Sequence, residues 1–314
     1  MARGHKILSK IKEKISVLIL TYNQAEFIES ALASVVGQKS DQYDLEIILT
    51  DDGSSDGTVE IVERFIEKSP MPIKFVANQH QGVSAIARNL LSMINISDGD
   101  FIAFLAGDDY YSEDRFRLQL ESFGNNPNLK ISYSDGVNCI DGKFGQRCHS
   151  AETVSMMLEG NTNKVHRHLT SQTPVLFIQG VLAKANFLRK IQPFDIDLIA
   201  DDWVFNIKVF QSLQSEGVEF SFEPSVCFVR NIHGENTSRN LIVHYERIRQ
   251  VANRYCRNSR LITSKFIGSA ILSALKKRDQ KELAFFTRKI LSYPEASVWL
   301  TRSIVASAIS KFSR

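Results

Sequence analysis

From about residue 15 onward, short apolar runs alternate with amphipathic stretches. Ile15–Leu20 is almost continuously apolar and rich in β-branched side chains, the pattern of a strand buried on both faces. It stops at Thr21, Tyr22 and Asn23. Within Ala25–Val36, residues Ile28, Leu32, Val35 and Val36 then recur at helical spacing before Gly37, where a helix stop is expected. Leu45–Thr50 reads as a second buried strand, cut off by the run Asp51 to Thr58, and Val59, Val62, Phe65 and Ile66 mark the next helix. Ile73–Ala77 is a third strand, Ser84–Ile94 a helix, and Phe101–Leu105 a fourth strand ended by Gly107, Asp108 and Asp109.

Strands separated by single helices define an α/β fold with a mainly parallel sheet and right-handed crossovers. In such sheets ligands bind beyond the carboxyl ends of the strands. The polar clusters 21–23, 51–56 and 108–109 all fall at those ends, so three loops are expected to meet at one crevice. Beyond about residue 130 the pattern is less regular. Lys130–Ser134, Glu219–Phe222 and Val226–Arg230 read as short strands, Val175–Gly180 is an apolar run, and residues 136–172 show little periodicity. A helix is expected to start at Asp201-Asp202-Trp203, and from about Leu241 the chain reads as helical.

The 314 residues are 43% hydrophobic and 23% charged, which excludes disordered and fibrous classes. The net charge of +3 conceals an asymmetry: residues 1–239 carry 23 basic and 31 acidic side chains, whereas 240–314 carry 15 and 4. An acidic body is thus joined to a strongly basic extension. The four cysteines form no CxxC pair or close histidine cluster, which fits reduced thiols in a cytosolic protein. Residues 1–16 are charged and lack the apolar centre of a secretory signal, and no run is long enough to span a bilayer.

The carboxylates are the candidate chemistry. A turn with helix capping explains one of Asp51, Asp52 and Asp56 more readily than all three, and Asp51, placed at a strand end, suits a base N–H or ribose hydroxyl. Adjacent Asp108 and Asp109 repel each other unless a cation or hydrogen-bond donors compensate, as a divalent metal on a diphosphate does. Asp201 and Asp202 open a helix whose dipole favours negative charge. His233 is a lone histidine that gains interest only beside these acids.

Six segments in order, ISVLILTYNQ at 15–24, EIILTDDGSSDGT at 46–58, GVSAIARN at 82–89, FLAGDDYY at 104–111, FDIDLIADDW at 194–203 and VRNIHGENTSR at 229–239, resemble the family 2 glycosyltransferases. That resemblance implies a Rossmann-like GT-A catalytic domain over 15–239, with a nucleotide-binding half at 15–110 and an acceptor half at 111–239. Outside it are a basic N-terminal segment at 1–14 and a basic helical C-terminal extension at 240–314. It implies that Thr21, Tyr22 and Asp51 hold a pyrimidine base, that Arg88 lines the nucleotide, and that Asp108 contacts the ribose or donor sugar. Asp109 matches the metal ligand for Mn²⁺ or Mg²⁺, His233 a further ligand, Asp202 the general base, and Trp203 the acceptor pocket. Ala106 departs from the pattern, because many members carry a further aspartate there.

The implied activity is inverting transfer from a UDP- or dTDP-sugar to a saccharide or lipid-linked saccharide acceptor, in bacterial capsule, O-antigen or exopolysaccharide synthesis. A nucleotidyltransferase of similar fold would need a Gly-rich basic triphosphate loop, which Ile19–Gln24 does not supply. A non-catalytic nucleotide-sugar-binding protein would not need Asp51, Asp109 and Asp202 together. Nucleic acid is not an expected partner of the acidic body. In the extension, Leu300, Ile304, Val305, Ala308, Ile309 and Phe312 share one helical face among basic residues. Such a helix suits an anionic membrane surface, placing the protein on the inner face of the plasma membrane; packing of the same face on the body is the alternative.

Overall fold

The computed structural model describes residues 12–173, 176–198, 202–233 and 240–312. The first part alternates β1 (Glu13–Thr21), α1 (Ile28–Val36), β2 (Tyr43–Asp51), α2 (Thr58–Lys68), β3 (Ile73–Ala77), α3 (Ile86–Ile96) and β4 (Phe101–Ala106). The second part contains β5 (Tyr110–Tyr111), α4 (Arg115–Asn125), β6 (Leu129–Ile140), β7 (Lys143–Arg147), α5 (Ala151–Leu158) and α6 (Thr162–Leu169). It continues through β8 (Leu182–Lys184), α7 (Ala185–Ile191), α8 (Asp202–Glu216) and β9 (Glu219–Ile232). Four further helices follow: α9 (Leu241–Tyr255), α10 (Ser259–Lys277), α11 (Gln280–Lys289) and α12 (Ala296–Phe312).

All nine described strands join one sheet, ordered β3-β2-β1-β4-β8-β6-β9-β5 with β7 beside β6. The β3-β2-β1-β4 block is parallel, as the alternating pattern requires, and β6 pairs with β9 in parallel further along. Alternation along β1 explains the continuous apolar run. Val17 and Ile19 pack with α1 on one face, while Leu18 packs with Leu90 and Met93 of α3 on the other. Thr21 is in register with Asp51, and Leu20 with Ala106, so the strand ends carrying the polar clusters align.

Three expectations needed changing. Glu219–Ile232 is one strand rather than two, with register shifts against β6 that accommodate Pro224. Residues 136–172 contain the rest of β6, all of β7, α5 and α6, two helices of only eight residues each, too short to show a clear period. Ser84–Ile94 begins as a 3-10 turn at Gly82–Ala85 and becomes α-helical from Ile86.

The extension is not a separate body. Val251 of α9 enters the core beneath α8, and Ile248, Ala252 and Ile262 pack with Trp203 and Tyr255. Arg254 bridges Asp195 and Asp197, and Tyr255 Oη donates to Asp195 Oδ2 at 2.5 Å. The apolar face expected on α12 is divided. Leu300 turns toward α10, where Gly268 admits the α12 backbone, and Ile304 and Val305 stay about half exposed. No helix among the described residues is long and apolar enough to cross a membrane.

Candidate active site

The strand ends open onto a cavity of about 930 Å³. Its walls bring together Thr21 at the end of β1 and Tyr22 after it, Asp108 and Asp109 after β4, and Asp202 and Trp203 from α8. His233, at the end of β9, completes this set of sequence-expected residues. Backbone bonds fix the rim: Asp52 N donates to Thr21 O at 2.9 Å, and Gly107 N to Leu20 O at 3.0 Å. Gly107 must be glycine here, because a Cβ would lie 2.7 Å from Thr21 Oγ1.

Two expected residues do not line this cavity. Asp51 is fully buried, and its Oδ1 accepts from Gly53 N at 2.9 Å and Ser54 N at 2.8 Å while its Oδ2 takes the Ser54 hydroxyl. Its carboxylate is spent on shaping the loop. The neighbouring Asp52 lines the wall instead, 3.1 Å from His80 Nδ1 and accepting from Gly82 N at 3.1 Å. A strand end turns successive side chains to opposite sides, so a shift of one residue decides which aspartate faces the ligand. Arg88 is exposed on α3 and donates to Gln81 Oε1 at 2.7 Å, whereas its neighbour Asn89 faces the cavity.

His80 was not singled out from sequence. Its ring stacks on Tyr22 with centroids 4.1 Å apart and planes 16° apart, forming an aromatic platform above Asp52. A histidine in a polar loop carries no periodic signal, so pattern alone does not single it out. Asp56 does the structural work expected of the loop, accepting from Ala25 N at 2.9 Å and from the Thr58 hydroxyl at 2.5 Å.

The Asp109 carboxyl is strongly perturbed. Burial first, and the charge of Asp108 second, push its pKa up to about 8, against lowering by Gln179, Asn231 and Arg230. Gln179 Nε2 donates to its Oδ2 at 2.8 Å, and Asn231 N to its Oδ1 at 2.9 Å. Gln179 is itself clamped: its carbonyl accepts from the fully buried Arg115, whose guanidinium also donates to Val181 O at 2.7 Å and lies over the Tyr111 ring. His233 pairs with Asp108 rather than Asp109, its Nε2 lying 3.0 Å from Asp108 Oδ2 and its ring stacked on Phe27.

Whether a cation fits follows from these contacts. A buried acidic pair with one member pushed toward neutrality despite Arg230 is short of positive charge, which a divalent ion would supply. Among the described residues no group of three His, Cys, Asp or Glu side chains could hold a metal alone. The donor set therefore suits an ion that keeps water or substrate oxygens as its other ligands, as Mg²⁺ and Mn²⁺ do.

Asp202 opens α8 and Trp203 Nε1 donates to Leu169 O at 2.7 Å, fixing the indole at the wall. Beneath them Tyr133 Oη donates to Asn206 Oδ1 at 2.7 Å, and Asn206 Nδ2 to the Asp202 carbonyl at 2.7 Å. Asp201 and residues 234–239 of the last segment lie outside the described residues. From the extension, His244, Arg247 and Ile248 of α9 also face the cavity, which charge counting did not reveal.

A mainly parallel sheet whose strand-end carboxylates Asp52, Asp108 and Asp109 meet at one cavity has the GT-A architecture. Residues 16–171 match the model for glycosyl transferase family 2, and the chain belongs to that family. It is 32% identical over 131 residues to an uncharacterized glycosyltransferase of Nostoc sp., covering 41% of this chain and 38% of that protein. It is 34% identical over 110 residues to the putative teichuronic acid biosynthesis glycosyltransferase TuaG of Bacillus subtilis, covering 35% and 42%. The chain thus spans less than half the length of either relative. Among solved structures, TarS 1-349 of S. aureus in complex with UDP-GlcNAc superposes with a TM-score of 0.60 at 16% identity, covering 90% of this chain and 81% of that one. A mannosyltransferase of Pyrobaculum calidifontis in complex with GDP-Man and Mn²⁺ gives 0.57 at 17% identity, covering 96% and 87%.

Proposed function

We propose that the protein transfers a sugar from a UDP- or dTDP-sugar to a saccharide or lipid-linked saccharide acceptor, with inversion, in the synthesis of a bacterial surface polysaccharide. The observation that carries this reading is the convergence of Asp52, Asp108, Asp109 and Asp202 on one cavity at the strand ends. Family membership and the nucleotide sugars bound by similar structures support it.

The base lies against the Tyr22 and His80 platform, with Asp52 taking the N3–H in place of Asp51. Uracil and thymine share that group, so both donors fit. Asp108, oriented by His233, accepts hydrogen bonds from ribose or sugar hydroxyls. Asp109, with His233 alongside, would hold a divalent cation, which would supply Lewis-acid neutralisation of charge on the diphosphate. Asp202 takes the proton of the acceptor hydroxyl as that oxygen attacks the anomeric carbon and the bond to the diphosphate breaks. Trp203 offers the acceptor an apolar wall. With the nucleophile entering opposite the leaving group, one displacement inverts the anomeric centre. The basic extension, with Ile304 and Val305 exposed on α12, supports attachment to the anionic inner face of the plasma membrane.

Release of UDP from a panel of UDP-sugars with Mn²⁺ tests the reading. Asp202→Asn should slow release by about 10²–10⁴-fold, the usual contribution of a positioned general base, with UDP affinity retained. Normal turnover in that variant would remove Asp202 from the role.

A further inference from the structure

Arg247 is a cation of the cavity whose Nε has no hydrogen-bond partner among the described residues. It lies on α9, three residues after His244 and one before Ile248, and all three face the cavity. Ile248 packs with Trp203, which places this face of α9 beside the residue that opens the acceptor side. Arg247 Nε is shielded from solvent and has no hydrogen-bond partner among the described residues. Three described acids on or against α9 pair with other arginines: Glu246 holds Arg249, and Asp195 and Asp197 hold Arg254. By contrast the other arginine of the cavity, Arg230, donates to Asn138 and lies over the Phe177 ring, on the Asp109 side.

A guanidinium left with a buried, unpaired N–H is costly unless an acceptor arrives, and its planar fork matches an oxyanion. The donor diphosphate belongs with Asp109, at the strand ends. An anion on the Trp203 side therefore has to come with the second substrate.

We propose that Arg247, with His244 one turn before it, forms an oxyanion subsite that selects an acceptor bearing a phosphate or carboxylate group. This rests on the sugar-transfer reading for the word acceptor, while the binding of the anion itself does not. The extension thereby becomes part of substrate recognition as well as packing.

Calorimetric titration of the full chain with glucose 1-phosphate, glucuronate and glucose, with and without UDP and Mn²⁺, tests it. At least one anionic sugar should bind roughly tenfold or more tightly than glucose, a preference that Arg247→Gln removes and Arg247→Lys partly keeps. UDP titrated into Arg247→Gln reports that the fold persists, and its affinity should stay within about twofold of the parent, far below the tenfold expected for a lost charged hydrogen bond. Equal binding of all three sugars would overturn the proposal. So would a loss of UDP affinity in Arg247→Gln as large as the loss of anionic sugar, since Arg247 would then serve the donor diphosphate. Failure of the parent protein to bind UDP, with anionic sugar still preferred through Arg247, would uphold the subsite and reject the nucleotide-sugar reading.

Discussion

Gln179 Nε2 donates a 2.8 Å hydrogen bond to Asp109 Oδ2, so a 3-10 turn 70 residues downstream holds the strongly perturbed carboxyl of the cavity. Two donors and a distant arginine do not outweigh burial and Asp108, which leaves the Asp109 pKa near 8. The sign for stability follows. The folded protein binds this proton more tightly than the unfolded chain, whose carboxyl titrates near 3.8, so metal-free stability should fall as pH rises between those values. Thermal melts from pH 5 to 9 in EDTA check it. Asp109→Asn should flatten the decline and melt higher than the parent at pH 8. Adding Mn²⁺ should raise the parent's melting temperature and leave that of the variant unchanged.

Asp51 and Asp52 should separate by what they break. Asp51→Asn leaves the donors of Gly53 and Ser54 poorly matched in a buried turn, with a cost of about 1–3 kcal/mol in urea unfolding. Asp52→Asn should weaken UDP binding roughly tenfold, with a smaller effect on the unfolding midpoint. The reverse assignment of effects would restore Asp51 as the base-facing residue.

Arg115 is fully buried, and its donors hold the carbonyls of Gln179 and Val181. Arg115→Met strands both carbonyls and frees the loop that carries Gln179. A loss of about 3 kcal/mol or more is expected in chemical denaturation, together with weaker Mn²⁺ stabilisation of the folded protein. Lysine should not rescue it, because one ammonium cannot reach the same pair of acceptors in the plane that the guanidinium spans.

The parallel half of the sheet could be read from sequence because β1, β2 and β4 are buried on both faces and the helices on one. Both patterns are strong over five to nine residues, and β3 begins and ends at the expected residues. The polar loops at strand ends located the cavity for the same reason. Asp51 was chosen over Asp52 because pattern gives the strand end but not the side to which each following residue turns. His80, Gln179 and Arg247 were missed because they act through contacts between elements far apart in sequence. Gln179 touches Asp109 and Arg115, and Arg247 meets the cavity only because α9 folds back onto α8.

That return of α9 has a measurable consequence. Ile248, Ala252 and Val251 are buried against the body, so removing residues 240–314 exposes Trp203 and the apolar surface around it. The shortened chain should aggregate or unfold at lower urea. In the full chain, tryptophan fluorescence and far-ultraviolet circular dichroism should report one coincident transition for the body and α9. Arg254→Ala alone should cost little, about 0.2–1 kcal/mol, since the Arg254 side chain is 40% exposed.

Calorimetric titration of UDP and dTDP into the full chain tests nucleotide-sugar chemistry at the strand ends most directly. Saturable binding in Mn²⁺ is expected, diminished by EDTA and by Asp109→Asn, and weakened roughly tenfold by Asp52→Asn. Absence of saturable binding for both nucleotides, or equal affinity in the parent and both variants, would contradict it.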